Sequence, residues 1–254
     1  MKGGIIMEKV NILGVKVDKV TIAEATSKII GMLNENRPHW VFTPNSEIIM
    51  QAYNDDEFCD ILNRADLLTA DGIGVVYASK ILHNPIEERA AGYDITCMLL
   101  ERFAKTGHRI FFFGGREGVA ETAKKKLEEK YPFINIVGTR NGYFKPEEEA
   151  DIIREINEAR PDILFVCLGA PAQEKWIARN SIKLDAKVCM GVGGSLDVIA
   201  GTAERAPDFW INLGLEWFYR LMKQPSRFVR MLALPKFAIT VLLKGDNFSQ
   251  EDEY

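Results

Sequence analysis

The stretch Leu67-Leu68-Thr69-Ala70-Asp71-Gly72-Ile73-Gly74 puts a carboxylate at the end of an apolar run, with two glycines in the turn that follows. In an open parallel α/β sheet, residues at the carboxyl ends of strands line the ligand crevice. Asp71 would sit there, at a strand-to-helix turn, and the glycines beside it let a substrate approach the backbone. The competing reading is that Asp71 only caps the helix that follows. Similar ends recur at Thr43-Pro44-Asn45, Gly114-Gly115-Arg116-Glu117-Gly118, Gly169-Ala170-Pro171-Ala172-Gln173 and Gly191-Val192-Gly193-Gly194-Ser195. Together they describe one crevice wall, and amides at helix N-termini favour an anionic ligand, typically a phosphate. The amides of Asn45 and Gln173 suit sugar hydroxyls or an N-acetyl group. Their alternatives are a helix cap for Asn45 and a first-turn polar position for Gln173.

Several chemistries are argued against. The Gly114–Gly118 segment lacks the dinucleotide spacing GxGxxG and follows an internal strand. No glycine precedes Lys-Ser or Lys-Thr as in a Walker A loop, so a nucleotide held through its diphosphate fits better than NAD chemistry or ATP hydrolysis. There is no DxD motif, and His39, His83 and His108 share no metal-ligand spacing. We therefore expect no metal and no cofactor. Charge on a diphosphate leaving group must then be met by arginine, lysine or backbone amides, with Arg89, Arg205, Arg220, Arg227 and Arg230 as candidates. A net charge of −4, from 32 basic and 36 acidic residues, does not suggest a nucleic-acid partner. The four cysteines form no CxxC pair, and Cys167 and Cys189 read as buried thiols in a reducing cytoplasm. Met1 to Ile6 are too short and weakly apolar for a signal peptide, and Met7 offers a natural start. No apolar run reaches the roughly 18 residues of a membrane span.

The elements that must position these residues alternate between strand and helix. Val10 to Val17 reads as a hairpin around Gly14. Thr21-Ile22-Ala23-Glu24 is a capping box that opens a helix to about Leu33. Strands are expected at residues 39–42, 109–113, 134–137, 162–168 and 187–190, besides the run into Asp71. Helices are expected at residues 46–53, 57–63, 95–103 and 146–159 and in the charged stretch ending at Lys130. Unbroken apolar strands alternating with helices imply a mainly parallel sheet covered on both faces. The expected fold is Rossmann-like α/β over residues 1–207, followed by a C-terminal helical, basic and aromatic appendage over 208–254.

Between Leu215 and Lys244 six basic residues accompany a single acidic one, Glu216. Arg220, Lys223, Arg227 and Arg230 follow steps of three and four, which would place them on one helical face. Pro225 and Pro235 are expected to break the segment into short helices. Phe237 to Leu243, too short to span a bilayer, could lie in its interface. The segment is therefore expected to meet a membrane surface and to fold over the crevice as a lid.

Thr43-Pro44-Asn45, Ala70-Asp71-Gly72, Gly169-x-Pro171-x-Gln173-Glu174, Gly193-Gly194 with Arg205-Ala206-Pro207, and Gly214-Leu215-Glu216-Trp217-x-Tyr219-Arg220-Leu221 together resemble the WecG/TagA/CpsF glycosyltransferases. The resemblance runs from about Val10 to Arg230. Ala172 departs from it, since a basic residue is common there. Within the family the chain is most similar to the N-acetylmannosaminyltransferases of wall teichoic acid linkage-unit synthesis. That resemblance implies a cytoplasmic enzyme, peripheral on the inner face of the cell membrane. It would move N-acetylmannosamine from UDP-N-acetylmannosamine to undecaprenyl-diphosphate-GlcNAc, with inversion and without a metal. UDP-N-acetylmannosaminuronic acid and UDP-glucose are the alternative donors. Asp71 corresponds to the family's proposed base. Thr43, Asn45, Arg89, Gln173, Gly114, Gly115, Gly193 and Gly194 would then bind substrate, while Arg220, Arg227 and Arg230 face the diphosphate or the membrane. An aspartate of ordinary pKa, about 3.9, can serve because the hydroxyl loses its proton late in bond formation. A non-catalytic UDP- or lipid-binding module is the competing class. The oligomeric state, a homo-oligomer included, is left open.

Overall fold

The computed structural model of the chain describes residues 8–223, 225 and 228–249. A hairpin comes first, β1 (Lys9–Ile12) and β2 (Val15–Asp18), paired antiparallel. Helix α1 (Ile22–Met32) begins at the expected capping box: Thr21 Oγ1 accepts from Glu24 N–H, and Glu24 Oε2 accepts from Thr21 N–H. The chain continues through β3 (His39–Phe42), α2 (Ser46–Ala52), α3 (Asp56–Asn63), β4 (Leu67–Leu68), α4 (Ile73–Ile81) and α5 (Gly92–Thr106). Next come β5 (Arg109–Gly114), α6 (Val119–Lys130), β6 (Asn135–Arg140), α7 (Glu149–Glu158), β7 (Ile163–Cys167), α8 (Ala172–Asn180), β8 (Val188–Gly191) and α9 (Ser195–Ala200). A C-terminal group of helices follows: α10 (Asp208–Asn212), α11 (Glu216–Lys223), α12 (Phe228–Met231) and α13 (Ala233–Ser249).

Six strands form one sheet in the order β4-β3-β8-β7-β5-β6, and every pair is parallel. The strands alternate their side chains between two apolar layers, as a period of two requires. On β5, Phe111 and Phe113 enter one layer while Ile110 and Phe112 enter the other. Helices α2, α3, α4, α7, α8 and α13 cover the first face, and α1, α5, α6 and α9 cover the second. The expected Rossmann-like frame, with helices on both faces, is the fold observed.

This layering decides where a crevice opens. After β7 the chain passes to the first face, where Trp176 and Ile177 of α8 are buried. After β5 and β8 it passes to the second face, carried by Val119 and Ala123 of α6 and Leu196 of α9. Helices that diverge from neighbouring strands leave a gap at the carboxyl edge, the usual ligand position in such sheets.

The C-terminal segment is divided into separate helices as expected, α12 ending at Met231 and α13 beginning at Ala233 with Pro235 in its first turn, where a missing N–H leaves no bond within α13 unmade; α13, at 17 residues, is longer than expected. Phe237 and Val241, expected at a membrane interface, are 3% and 2% exposed and belong to the first apolar layer. A helix face that packs on the core is unavailable to lipid. Ile239, Leu242 and Leu243 of the same helix remain exposed. Among the described residues, no helix is long and apolar enough to cross a membrane.

Candidate active site

The strand ends singled out by sequence come together on the carboxyl edge of the one sheet, in the order Asp71, Thr43–Asn45, Gly191–Ser195, Gly169–Gln173, Gly114–Gly118. Asp71 does not cap α4. That helix has Gly72 as its N-cap and no side-chain cap, whereas Asp71 Oδ2 accepts from Gly92 N–H at 3.2 Å, in the first turn of α5. A carboxylate at a helix N-terminus is favourably placed for the helix dipole. Gly92 is needed for close approach: a Cβ there would lie 2.6 Å from Thr43 Oγ1. Thr43, Gly92 and Asp71 are thereby packed together.

Asp71 is half-buried. Burial pushes its carboxyl up from the ordinary value, and the Glu216 carboxylate adds to that; Arg89, Arg220 and the Gly92 amide oppose it. The ordinary pKa expected from sequence is thus corrected upward, because sequence alone does not reveal how far the group is dehydrated. The change strengthens Asp71 as a base, since a higher pKa gives a stronger proton acceptor.

Around Asp71 lies an ion network between the sheet edge and the C-terminal helices. Arg89 Nη1 is 2.7 Å from Glu216 Oε2, and its Nη2 is 3.4 Å from Asp94 Oδ2. Glu216 also pairs with Arg220 one turn along α11. Arg205 Nη2 is 2.6 Å from Asp94 Oδ1, and its guanidinium stacks 4.5 Å from the centre of the Tyr93 ring. Burial works against the charges on Glu216 and Arg89. Their mutual attraction and that of their neighbours outweighs it, so Glu216 is held below the usual carboxylate range and Arg89 above the usual guanidinium value. Aromatic contacts of Trp210 with Phe218 (5.9 Å) and Tyr219 (6.1 Å) brace α10 against α11.

Of the four cations expected on one helical face, Arg220 and Lys223 lie on α11 and Arg230 on the separate helix α12. Lys223 turns to Glu204, 2.8 Å away. Arg227 lies outside the described residues, as does the side chain of Arg230. Of the three arginines expected at the diphosphate or the membrane, only Arg220 can be placed, and it stands beside Glu216 and Asp71.

Farther along the wall the polar groups are committed to holding loops. Asn45 Oδ1 accepts from Ile48 N–H at 3.0 Å and caps α2. Gln173 is buried; its Oε1 accepts from Gly193 N–H at 3.0 Å and its Nε2 donates to Glu174 Oε1 at 2.9 Å. Gln173 therefore anchors the Gly193–Gly194 turn from beneath. Glu174 is itself buried, which pushes its carboxyl up, and its Oε2 has no hydrogen-bond partner. Gly114 closes the β5 end: with φ +127°, it lies so near β7 that a Cβ would overlap the Cys167 carbonyl. Gly115 N–H donates to that carbonyl at 3.0 Å, and Gly115 in turn accepts from Gly142 N–H at 2.9 Å. Tyr143, exposed, follows at the end of the wall.

Sequence reasoning missed Glu216, Asp94 and Gly92 as members of the site. For Glu216 a signal was present: it is the lone acidic residue in a stretch with six basic ones. Asp94 and Gly92 carried none, because their role follows from where α5 begins. No group of three or more potential metal ligands occurs among the described residues.

The family model for the WecG/TagA/CpsF glycosyl transferases matches residues 10–250. Relatives named N-acetylglucosaminyldiphosphoundecaprenol N-acetyl-beta-D-mannosaminyltransferase include one from Bacillus subtilis (strain 168), 40% identical over 82% of this chain and 80% of its own length. Others are from Bacillus spizizenii, 36% identical over 87% and 85%, and Staphylococcus aureus (strain MRSA252), 34% identical over 90% of each chain. The match spans the sheet edge that carries Asp71, Arg89 and Gln173 together with the helices that cover it, and the chain belongs to the WecG/TagA/CpsF family of glycosyltransferases.

Proposed function

We propose that the enzyme transfers N-acetylmannosamine from UDP-N-acetylmannosamine to undecaprenyl-diphosphate-linked N-acetylglucosamine, in a single displacement with inversion at the anomeric carbon. The observation that carries this reading is one half-buried carboxylate, Asp71, beside two guanidinium groups, Arg89 and Arg220, that are both paired with Glu216. An inverting transfer needs one base and a receiver for the leaving charge. Asp71 takes the proton from the acceptor hydroxyl as its oxygen bonds to the anomeric carbon. The bond from that carbon to the diphosphate breaks, and UDP leaves with the electron pair. Arg220 and Arg89 stabilise the departing diphosphate by exchanging Glu216 for it, a role a metal would otherwise fill. Thr43, Asn45 and the Gly193–Gly194 turn line the sugar side, and Gly114, Gly115 and the exposed ring of Tyr143 line the nucleotide side. The relatives' names and the burial of Asp71 both support the reading. The basic C-terminal helices and exposed Ile239, Leu242 and Leu243 suit contact with the inner membrane face, where the lipid acceptor is presented.

The test is product analysis with UDP-N-acetylmannosamine, UDP-N-acetylmannosaminuronic acid and UDP-glucose. A short-chain lipid-diphosphate N-acetylglucosamine serves as acceptor, with EDTA present after metal stripping. Transfer of N-acetylmannosamine alone, with inverted anomeric configuration, is expected. Preference for another sugar would overturn the donor assignment, and a strict need for added Mg²⁺ or Mn²⁺ would overturn the metal-free mechanism.

A further inference from the structure

Asp71 and Arg89 stand on segments that share no strand ladder. Asp71 ends the run that leaves β4, while Arg89 belongs to the irregular stretch leading into α5. On one side the Asp71 segment is held by β3 and the turn after it: Thr69 N–H donates to the Phe42 carbonyl and Asp71 N–H to the Pro44 carbonyl, each at 3.1 Å. On the other side two hydrogen bonds reach residues 89–92. The Thr69 hydroxyl donates to the Ala90 carbonyl at 2.8 Å, with both residues 0% exposed. Gly92 N–H donates to Asp71 Oδ2 at 3.2 Å. The second bond is long and ends on the reacting carboxylate, whose charge changes during turnover. The first is short, dry and independent of that charge. Thr96 Oγ1 donates to the Gly92 carbonyl at 2.7 Å, so Gly92 is tied to the body of α5.

We propose that Thr69 is a positioning residue, its hydroxyl setting the placement of the segment that carries Arg89 and Gly92 relative to the Asp71 carboxylate. Without that hydroxyl, the Ala90 carbonyl loses its partner at a fully buried position, which is costly to leave unsatisfied. The segment then shifts to satisfy the carbonyl, and small displacements between reacting groups are expensive in rate. The proposal rests on Asp71 being the base.

The groups that face Asp71 are the Gly92 amide from the first turn of α5, Arg89 from the stretch leading into it, and Arg220 and Glu216 from α11. Thr69 holds the first two, both of which favour the ionised carboxylate. Thr69→Val should therefore move the acid limb of the kcat–pH profile to higher pH and lower kcat about tenfold, with the donor KM held within about twofold. Thr69→Ser keeps the donor oxygen and should restore both. Asp71→Asn is measured in parallel. If Asp71→Asn turns over like wild type, the base assignment fails and this proposal with it. If Asp71→Asn is inactive while Thr69→Val keeps the wild-type kcat and acid limb, Thr69 merely fills space and the proposal alone is overturned. Should Thr69→Val not fold, Thr69→Cys, close in volume with a weak donor, must show the same loss and shift; wild-type behaviour there overturns the proposal equally.

Discussion

The Arg89–Glu216 pair joins the C-terminal helices to the carboxyl edge of the sheet, and Glu216→Gln tests it with little change of shape. The pair is 2.7 Å apart, with side chains 18% and 14% exposed. Charge centres roughly 4 Å apart at an effective dielectric of about 20 attract by about 4 kcal/mol. Dehydration of both groups offsets part of this, and hydrogen bonds to charged groups contribute about 1.5–3 kcal/mol net. We expect Glu216→Gln to weaken docking of α11 by about 2 kcal/mol, roughly a 30-fold shift toward the undocked state. Amide hydrogen exchange in α11 of the unliganded enzyme should speed up by about that factor, while exchange in β5 and β7 stays unchanged. A double-mutant cycle with Arg89→Gln, read through the same exchange, should return a coupling of similar size. Because the pair is shielded, the coupling should persist at high salt. A coupling below about 0.5 kcal/mol, the size of an exposed pair, would refute the argument that this contact anchors the helices.

Two further changes probe the proposed base and the packing. Asp71→Asn should lower turnover by roughly 10²–10⁴, or about 3–5 kcal/mol of barrier, as for a lost general base. Because burial raises the Asp71 pKa, the ionised group weakens the fold as pH rises through its folded value, so Asp71→Asn should melt no lower than wild type at pH 8, and higher if the fold is otherwise unchanged. A lower melting temperature there would contradict the stated cause. Phe237→Ala should destabilise the whole protein by about 3–5 kcal/mol, as truncation of a buried aromatic does, measured by denaturant unfolding with coincident signals from core and C-terminal probes. An unchanged midpoint would mean that α13 is only appended to the core.

Much of the frame was legible in the chain. Buried parallel strands must be apolar on both faces, so β5, β7 and β8 appeared as unbroken runs, and the Thr21–Glu24 box marked the start of α1. The strand-end residues could be assigned to one edge because parallel topology sends every carboxyl end the same way. Edge strand β4, only two residues long, was detectable mainly through the Asp-Gly turn that follows it. Local pattern misled where the tertiary environment decides. The apolar run from Phe237 to Leu243 suggested a membrane interface, yet Phe237 and Val241 pack into the first apolar layer.

By itself, then, the sequence determined the parallel sheet, the crevice edge and the presence there of one carboxylate among glycines. Those features follow from local residue type and periodicity. Only the tertiary structure decided that Asp71 faces the start of α5 instead of capping α4, that Glu216 holds Arg89 and Arg220 beside it, and that Gln173 supports the Gly193 turn. The Arg89–Glu216 pair joins residues 127 positions apart in the chain. Dehydration and charge attraction depend on distance in space, which no local pattern encodes.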